Sequence, residues 1–379
     1  ASTASIHRFL GFQLLSRRAN IDDNEVLLEK LIQQPVQEQN LEYLLWAIHS
    51  CCYGEKGVTI TLTYEQDLSP NLCATLASKG ILCKKRFQNR LSVHLPPNTE
   101  YTCVSYSLGN HTVCVRERLS RHKVTLKSLM SHENFDGVDN TGNTRVWDSE
   151  TTLCFLLLQE PQTITSTLNI SSLWELRHEN NKLRVLELGC GMAGLVCLFL
   201  ATLKPELTTV TLTDGHPQAV HNNFVNIALN PHLKDCEISA KRLVWSTDDK
   251  NTISPTNDLI LVADCTHFQE FHACLACTIA DNLRIGGVAL LLQPPRGNSL
   301  ANFVTCLEKS NDLFQVHLFE RNYSETLSRR HDQHCGTPAF DSDIHYPQLL
   351  ILQKLREVTH EDRVAMTRYM EKRESSRRN

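Results

Sequence analysis

Long apolar runs are missing from this chain of 379 residues: none that is free of charge approaches the ~20 residues a membrane-spanning helix needs. The first residues, Ala1-Ser2-Thr3-Ala4-Ser5-Ile6-His7-Arg8, lack the basic-then-apolar order of a secretory signal. A paired cysteine framework is missing too. The 15 cysteines are odd in number and scattered, and Cys154, Cys190, Cys197 and Cys265 sit inside apolar runs, as buried free thiols do. Nor is there an excess of positive charge: 38 basic residues against 42 acidic ones leave −4, which argues against nucleic acid as a bulk electrostatic partner. No internal repeat is visible. These absences lead us to expect an intracellular protein, cytoplasmic and also nuclear, that engages neither nucleic acid nor membrane and acts as a monomer.

What is present is ordinary globular material, 41% hydrophobic, enough for one large domain with an extension or for two domains. Residues 1–50 read as helical, with Val26, Leu27, Leu31, Leu41, Leu44, Leu45 and Ile48 at helical spacing. From Val58 to Leu119 the texture shifts to short alternating stretches, and Gly109-Asn110 between Tyr101–Ser107 and Thr112–Val115 signals a hairpin. From Arg184 onward apolar strands alternate with longer helical segments, which predicts βαβ units in a mostly parallel sheet. The spacing predicts strands at 184–188, 209–213, 238–244, 259–263, 288–292, 313–319 and 348–355. Helices are expected at 192–203, 217–229, 271–283 and 300–309. The last two strands share no long helix in this reading and so could form an antiparallel edge. The chain thus divides into an N-terminal extension over 1–130, an α/β domain over 131–355, and a charge-rich tail over 356–379, expected to be a solvated helix or frayed.

Beginning in the first predicted strand, Val185-Leu186-Glu187-Leu188-Gly189-Cys190-Gly191-Met192-Ala193-Gly194 has the form strand, G-x-G-x-x-G loop, helix. Such a loop lets backbone amides approach a ligand closely, and it serves dinucleotides as readily as other adenosine cofactors. Two neighbours sharpen it. Glu187, two residues before the first glycine, would repel a pyrophosphate but welcome the ammonium of a sulfonium amino acid. Asp214 ends the next strand, where a carboxylate can accept both hydroxyls of a ribose. Trp245, after the third strand, can cover an adenine face, or can simply be a core residue. Asp264 ends the fourth strand, outside the carboxyl edge where open α/β sheets bind ligands, or else caps the next helix.

Residues 184–264 resemble the class I, seven-β-strand methyltransferases, in particular the lysine-directed branch with an Asp-x-x-aromatic motif after the fourth strand. Two longer segments are similar to the calmodulin-lysine methyltransferases within that branch. One is Phe135-Asp136-Gly137-Val138-Asp139-Asn140-Thr141-Gly142-Asn143, followed by Trp147-Asp148-Ser149-Glu150. The other is Pro295-Arg296-Gly297-Asn298-Ser299-Leu300, with the later Ile344-His345-Tyr346-Pro347-Gln348-Leu349-Leu350-Ile351-Leu352. The resemblance covers about residues 90–355. It implies a Rossmann-like, mostly parallel seven-stranded sheet with helices on both faces, plus the N-terminal α+β extension. It also implies S-adenosylmethionine as cofactor, held by Trp147, Glu187, Gly189, Cys190, Gly191, Asp214, Trp245 and Ala263. Asp264 and His267 would then be catalytic, and the substrate an acidic protein, calmodulin. The motif departs at its fourth position, which is His267, with Phe268 one step later.

The chemistry so implied is demanding. A lysine near its reference pKa of ~10.4 is protonated at neutral pH and has no lone pair to attack a methyl group. The site must align the amine with the sulfonium and let a proton leave, and neither a metal nor a covalent intermediate is expected. Cys274-Leu275-Ala276-Cys277 and the His331, His334, Cys335 group are weak metal signals, the first lying on a helix with apolar neighbours. Basic residues at Lys84-Lys85-Arg86, at Arg116, Arg118 and Arg121, and at Arg329-Arg330 read as solvated faces that would assist encounter with an acidic partner. The extension is expected to help dock that partner.

Overall fold

The computed structural model describes residues 13–15, 27, 30–31, 38–52, 56–63, 68–86, 90–118, 142, 145–178, 181–248, 256–337 and 340–378. Most of the helical reading before residue 38, Val26 included, lies outside the described residues. So do Arg121, Phe135–Thr141 and Asn143.

The N-terminal part runs β1 (Gln13–Leu15), α1 (Glu38–Cys51), β2 (Val58–Thr63), α2 (Pro70–Ser78), β3 (Leu82–Arg86), β4 (Arg90–Leu95), β5 (Tyr101–Leu108) and β6 (His111–Arg118). The strands form two antiparallel three-stranded sheets, ordered β2-β4-β3 and β1-β5-β6. Gly109 turns with φ 60° between β5 and β6, and Leu108 pairs with His111, so the hairpin forms at the expected dipeptide. Helix α2 is absent from the sequence reading. Its signal is nonetheless local: Ser69 accepts the Leu72 N–H at 3.3 Å, and proline opens the helix.

The rest runs α3 (Asp148–Leu158), α4 (Gln162–Leu168), β7 (Leu183–Leu188), α5 (Leu195–Leu203), β8 (Thr208–Asp214), α6 (Pro217–Leu229), β9 (Glu237–Arg242), β10 (Asn257–Ala263), α7 (His272–Asn282), β11 (Leu283–Gln293), α8 (Ser299–Glu308), β12 (Phe314–Phe319), α9 (Glu325–His334), α10 (Ser342–His345), β13 (Gln348–Lys354) and α11 (His360–Arg378). Seven strands make one sheet, ordered β12-β13-β11-β10-β7-β8-β9, in which only β13 runs antiparallel to its neighbours. This is the class I methyltransferase order. Strand order reverses between β7 and β10, so their carboxyl ends open the crevice in which such sheets bind ligands. The central strands are apolar on both faces because helices cover both: Val185, Leu186, Leu188, Leu259–Val262 and Val288–Leu292 are all buried.

Three departures from expectation have physical causes. Helix α5 begins at Leu195, not Met192, because Gly194 takes φ 57° as its N-cap and leaves the glycine loop longer. The last two strands do pair antiparallel, but β13 inserts between β11 and β12, and α9 and α10 lie between them in sequence. Helix α9 is polar enough to escape a periodicity reading, yet Ser324 caps it at Leu327 N–H and Leu327 is buried. The tail is not simply solvated. Met366 and Met370, one turn apart on α11, are buried against the core beneath α7 and α8. No helix among the described residues is long and apolar enough to cross a membrane.

The N-terminal sheets do not stand apart from this sheet. Leu41, Leu45 and Ile48 of α1 share a core with Ile60, Leu62, Val93 and with Val225 and Leu229 of α6. A fully buried ammonium closes the opposite side: Lys354 Nζ donates to the carbonyls of Ala280 and Leu283, each at 2.8 Å, and to Glu357 at 2.6 Å. It satisfies carbonyls at the end of α7, where a cation is also favoured by the helix dipole. Lys354→Met should therefore cost about 2–4 kcal/mol in urea unfolding, through stranded carbonyls. A variant as stable as the parent would contradict this account.

Candidate active site

The glycine loop is packed so tightly that side chains are excluded at two positions. A Cβ on Gly189 would meet Cys265 Sγ at 2.6 Å and Trp245 Cζ2 at 3.0 Å, so the indole lies against the first glycine. A Cβ on Gly191 would meet the Gly142 carbonyl at 2.8 Å, and that carbonyl accepts the Met192 N–H at 2.9 Å. Both glycines have φ near +60° as well. Gly142 belongs to the segment that carried the resemblance, and its contact here is a direct one with the loop.

Under the loop lie two buried carboxylates at the start of α5. Glu187 accepts the Cys197 N–H at 3.1 Å and Glu150 accepts the Leu195 N–H at 2.8 Å. Both thus satisfy first-turn amides of one helix. Burial pushes the Glu187 carboxyl up to about 7, against the pull of Cys197. Burial, and then the charge of Glu187, holds Glu150 well above the usual carboxylate range. Burial and mutual repulsion thus keep the pair from carrying two full negative charges near neutral pH. Asp214, at the end of β8, accepts the amides of Gly191 at 2.9 Å and His216 at 2.8 Å. A carboxylate oxygen has two lone pairs, so acceptor capacity is left for ligand hydroxyls.

After β10 the chain turns through Asp264, a non-glycine residue at φ 54°, and is pinned there by a fully buried glutamine. Gln293 accepts the N–H groups of Cys265 at 2.7 Å and Thr266 at 3.1 Å and donates to the Val262 carbonyl at 3.1 Å. The Asp264 carboxylate meets the flat fork of Arg296, Nε to Oδ1 at 2.9 Å and Nη2 to Oδ2. Arg296 and Arg145 also approach the Trp147 ring, their guanidinium carbons 5.9 Å and 4.2 Å from its centroid. His267 is exposed, while Phe268 and Phe271, centroids 6.4 Å apart, are half-buried.

One cavity of about 400 Å³ gathers these groups. Trp147, Glu187, Gly189, Cys190, Gly191, Asp214, Trp245, Ala263, Asp264 and His267 all line it. Sequence reasoning passed over Glu150, Cys265, Phe268, Phe271 and Arg145 as members of this wall, and gave Arg296 no role. It also missed Gln293, which sets the loop from beneath. Only the placement of Arg296 and Glu150 inside motif-like segments could have drawn attention to them. Cys274 lines the cavity too, whereas Cys277 is buried in the core and pushed up to about 12 by burial. Among the described residues no group of three or more His, Cys, Asp or Glu is arranged to hold a metal.

The donor set fits an adenosine cofactor whose amino-acid end carries an ammonium. The pH response of binding tests the Glu187 role. Burial holds the Glu187 carboxyl up at about 7, and an ammonium beside it would lower that value, so binding should expel a proton. Calorimetry should find S-adenosylhomocysteine binding weakening as pH falls through about 7, by up to about tenfold per unit. Glu187→Gln should flatten that slope. Unliganded stability should move the other way. A raised carboxyl contributes stability that is full below the unfolded value and is lost as pH rises through about 7, so Glu187→Gln should raise the melting temperature above that pH. An unchanged binding slope in the variant would remove Glu187 from the ligand's ammonium.

Comparison with known proteins agrees with this geometry. Residues 129–310 match a family model described as lysine methyltransferase. The chain is 30% identical over 220 residues to the calmodulin-lysine N-methyltransferase of Arabidopsis thaliana, an alignment covering 56% of this chain. It spans 66% of that relative, just under two thirds of its length. Among solved structures, a methyltransferase from Pyrococcus furiosus is 17% identical with TM-score 0.34, covering 51% of this chain and 83% of its own. The plantazolicin methyltransferase BamL, solved with S-adenosylhomocysteine, is 14% identical with TM-score 0.33, covering 54% and 91%. The fold is identified by the strand order above, not by these two distant likenesses. The family match and the cradle agree on S-adenosylmethionine as methyl donor, and residues 129–310 are similar to the lysine methyltransferase family.

Proposed function

We propose that the chain transfers methyl groups from S-adenosylmethionine to the side-chain amine of a lysine in an acidic protein, and that this protein is calmodulin. One observation carries the methyl-transfer reading: a single cavity is lined both by Glu187 beside the glycine loop and by Asp264 paired with Arg296. A dinucleotide would bring its pyrophosphate against the two buried carboxylates, which disfavours an oxidoreductase. Calmodulin is supported by the Arabidopsis relative. Arg145, exposed and on the cavity wall, adds positive charge that suits an acidic surface.

The residues suggest how the amine is prepared. The donor, when bound, supplies an electrophilic methyl on a sulfonium. Asp264 keeps lone pairs for an incoming amine although Arg296 occupies part of its carboxylate. The guanidinium charge beside it disfavours an ammonium and so favours the neutral nucleophile. Phe268 and Phe271 furnish apolar walls, which act in the same direction, and the proton leaves by the open mouth where His267 is exposed.

Purified chain, labelled S-adenosylmethionine and calmodulin should give a labelled product whose mass increments map to lysine. No label, or label on other proteins alone in a lysate, would defeat the calmodulin assignment. Asp264→Asn tolerates the positive φ and removes only the charge. It should lower kcat by about 10²-fold or more while S-adenosylhomocysteine binding holds. Arg296→Gln should move the pH–rate profile to higher pH by about one unit, since the amine then loses its proton less readily. A profile that stays in place would mean that Arg296 only shapes the loop.

A further inference from the structure

A second cavity, of about 350 Å³, lies where α1 and the β5–β6 hairpin meet α6. Trp46, His49, Tyr101, Arg116, Gln218 and His221 are among its walls. Its volume is that of a small-ligand pocket and several times the ~30 Å³ that a water occupies.

Arg116 is the unusual member. Only 5% exposed, it packs its guanidinium over the Tyr101 ring at 3.7 Å and beside the Trp46 ring at 5.3 Å. Among the described residues that guanidinium makes no ion pair and no hydrogen bond, and its Nε is buried without a partner. Trp46 Nε1 is buried and unpartnered as well. Both atoms can only donate. Cation–π contact offsets part of the charge but leaves the edge of the fork unmet. Glu100, the carboxylate on the rim, is exposed and forms no ion pair with it. The Arg118 guanidinium carbon lies 5.9 Å from the centroid of the same Tyr101 ring, and its Nε donates to the Tyr101 hydroxyl at 3.5 Å. The carbonyls of Pro96 and Pro97 lie beside the His49 ring but outside hydrogen-bond geometry.

A buried cation without a counter-ion is costly, and a fold retains one where something else supplies the charge. We infer that this cavity is a binding site for an oxyanion, a carboxylate or phosphate group that docks edge-on into the Arg116 fork. Burial pulls the Arg116 guanidinium down to about 10 and His221 down to about 4, so Arg116 stays charged and His221 stays neutral at physiological pH. The site lies outside the methyl-transfer cavity and does not rest on that reading. The oxyanion could belong to a free small molecule or to an acidic segment of a protein.

Calorimetry on the full chain separates these sources, with inorganic phosphate, citrate and a short oligoglutamate peptide as probes at constant ionic strength set by chloride. Saturable binding of phosphate or citrate assigns a free anion; binding of oligoglutamate alone assigns an acidic segment. Either should weaken by about tenfold or more in Arg116→Met, the loss of a charged hydrogen-bond partner. Arg116→Lys, which keeps the charge and loses the fork, should fall between the two and serves if the methionine variant does not fold. No saturable binding of any probe, or equal binding by a folded Arg116 variant of either kind, would overturn the site.

Discussion

Everything at the cofactor end of this molecule depends on where the glycine loop puts its carbonyls. A loop that turns its amides toward a ligand turns carbonyls into the fold, where each needs a donor. Helix α6 supplies them from asparagines on one face. Asn222 donates to Met192 O at 2.6 Å, Asn223 to Gly191 O at 2.7 Å, and Asn226 to Met192 O at 2.8 Å and Ala193 O at 3.0 Å. The same ladder reaches the other way. Asn226 accepts the Arg116 N–H and Asn230 the Cys114 N–H, each at 2.8 Å, and Asn230 donates back to Cys114 O at 2.7 Å. Glycine loop, α6 and β6 are therefore one hydrogen-bonded unit. A stranded buried carbonyl costs about 1–3 kcal/mol, so the ladder is worth more to the loop than any single contact in it.

That unit fixes the charge layout of the main cavity. With the loop held from behind, its front presents the first turn of α5 to Glu150 and Glu187, and amides of that turn are what allow two carboxylates to be buried together. The far end of the cavity is arranged oppositely. Asp264 is neutralised by Arg296, and a second guanidinium stacks on Trp147. One end favours a cation and the other disfavours it, which is the polarity that a sulfonium amino acid and a neutral amine require of a shared site.

The strand–helix alternation, the loop and the acids at the strand ends were legible in the sequence because each is a local pattern. Val185–Leu188 and Leu259–Ala263 are apolar runs, and Glu187, Asp214 and Asp264 lie at fixed offsets from them. What escaped was pairing at long range. Nothing in the periodicity of α6 says that its asparagines face a loop some 30 residues earlier in the chain and a strand more than 100 residues earlier. The Arg296–Asp264 fork and the seat of Gln293 join residues about as far apart, and β13 slips between two strands that precede it. Local rules misled at α9 and α11, where polar composition concealed a cap at Ser324 and two buried methionines. Packing across the division drawn at residue 130 was equally invisible to local patterns: α1 and α6 share a core.

The fourth position of the Asp-x-x-aromatic pattern shows how three-dimensional constraint can replace a sequence motif. Gln293 holds Cys265 and Thr266 by their amides, and the Thr266 carbonyl is held by His272 at 2.9 Å and by Ser299. With Thr266 drawn inward and buried, His267 is left at the surface of the mouth. Phe268 and Phe271 then turn to the cavity in its place, before α7 begins. Desolvation of the proposed lysine amine would call for an apolar wall, and two half-buried rings line the cavity whichever residue occupies the motif position. The departure that looked like the weakest point of the sequence pattern is thus a displacement of the aromatic surface by one residue, made possible by the glutamine beneath it.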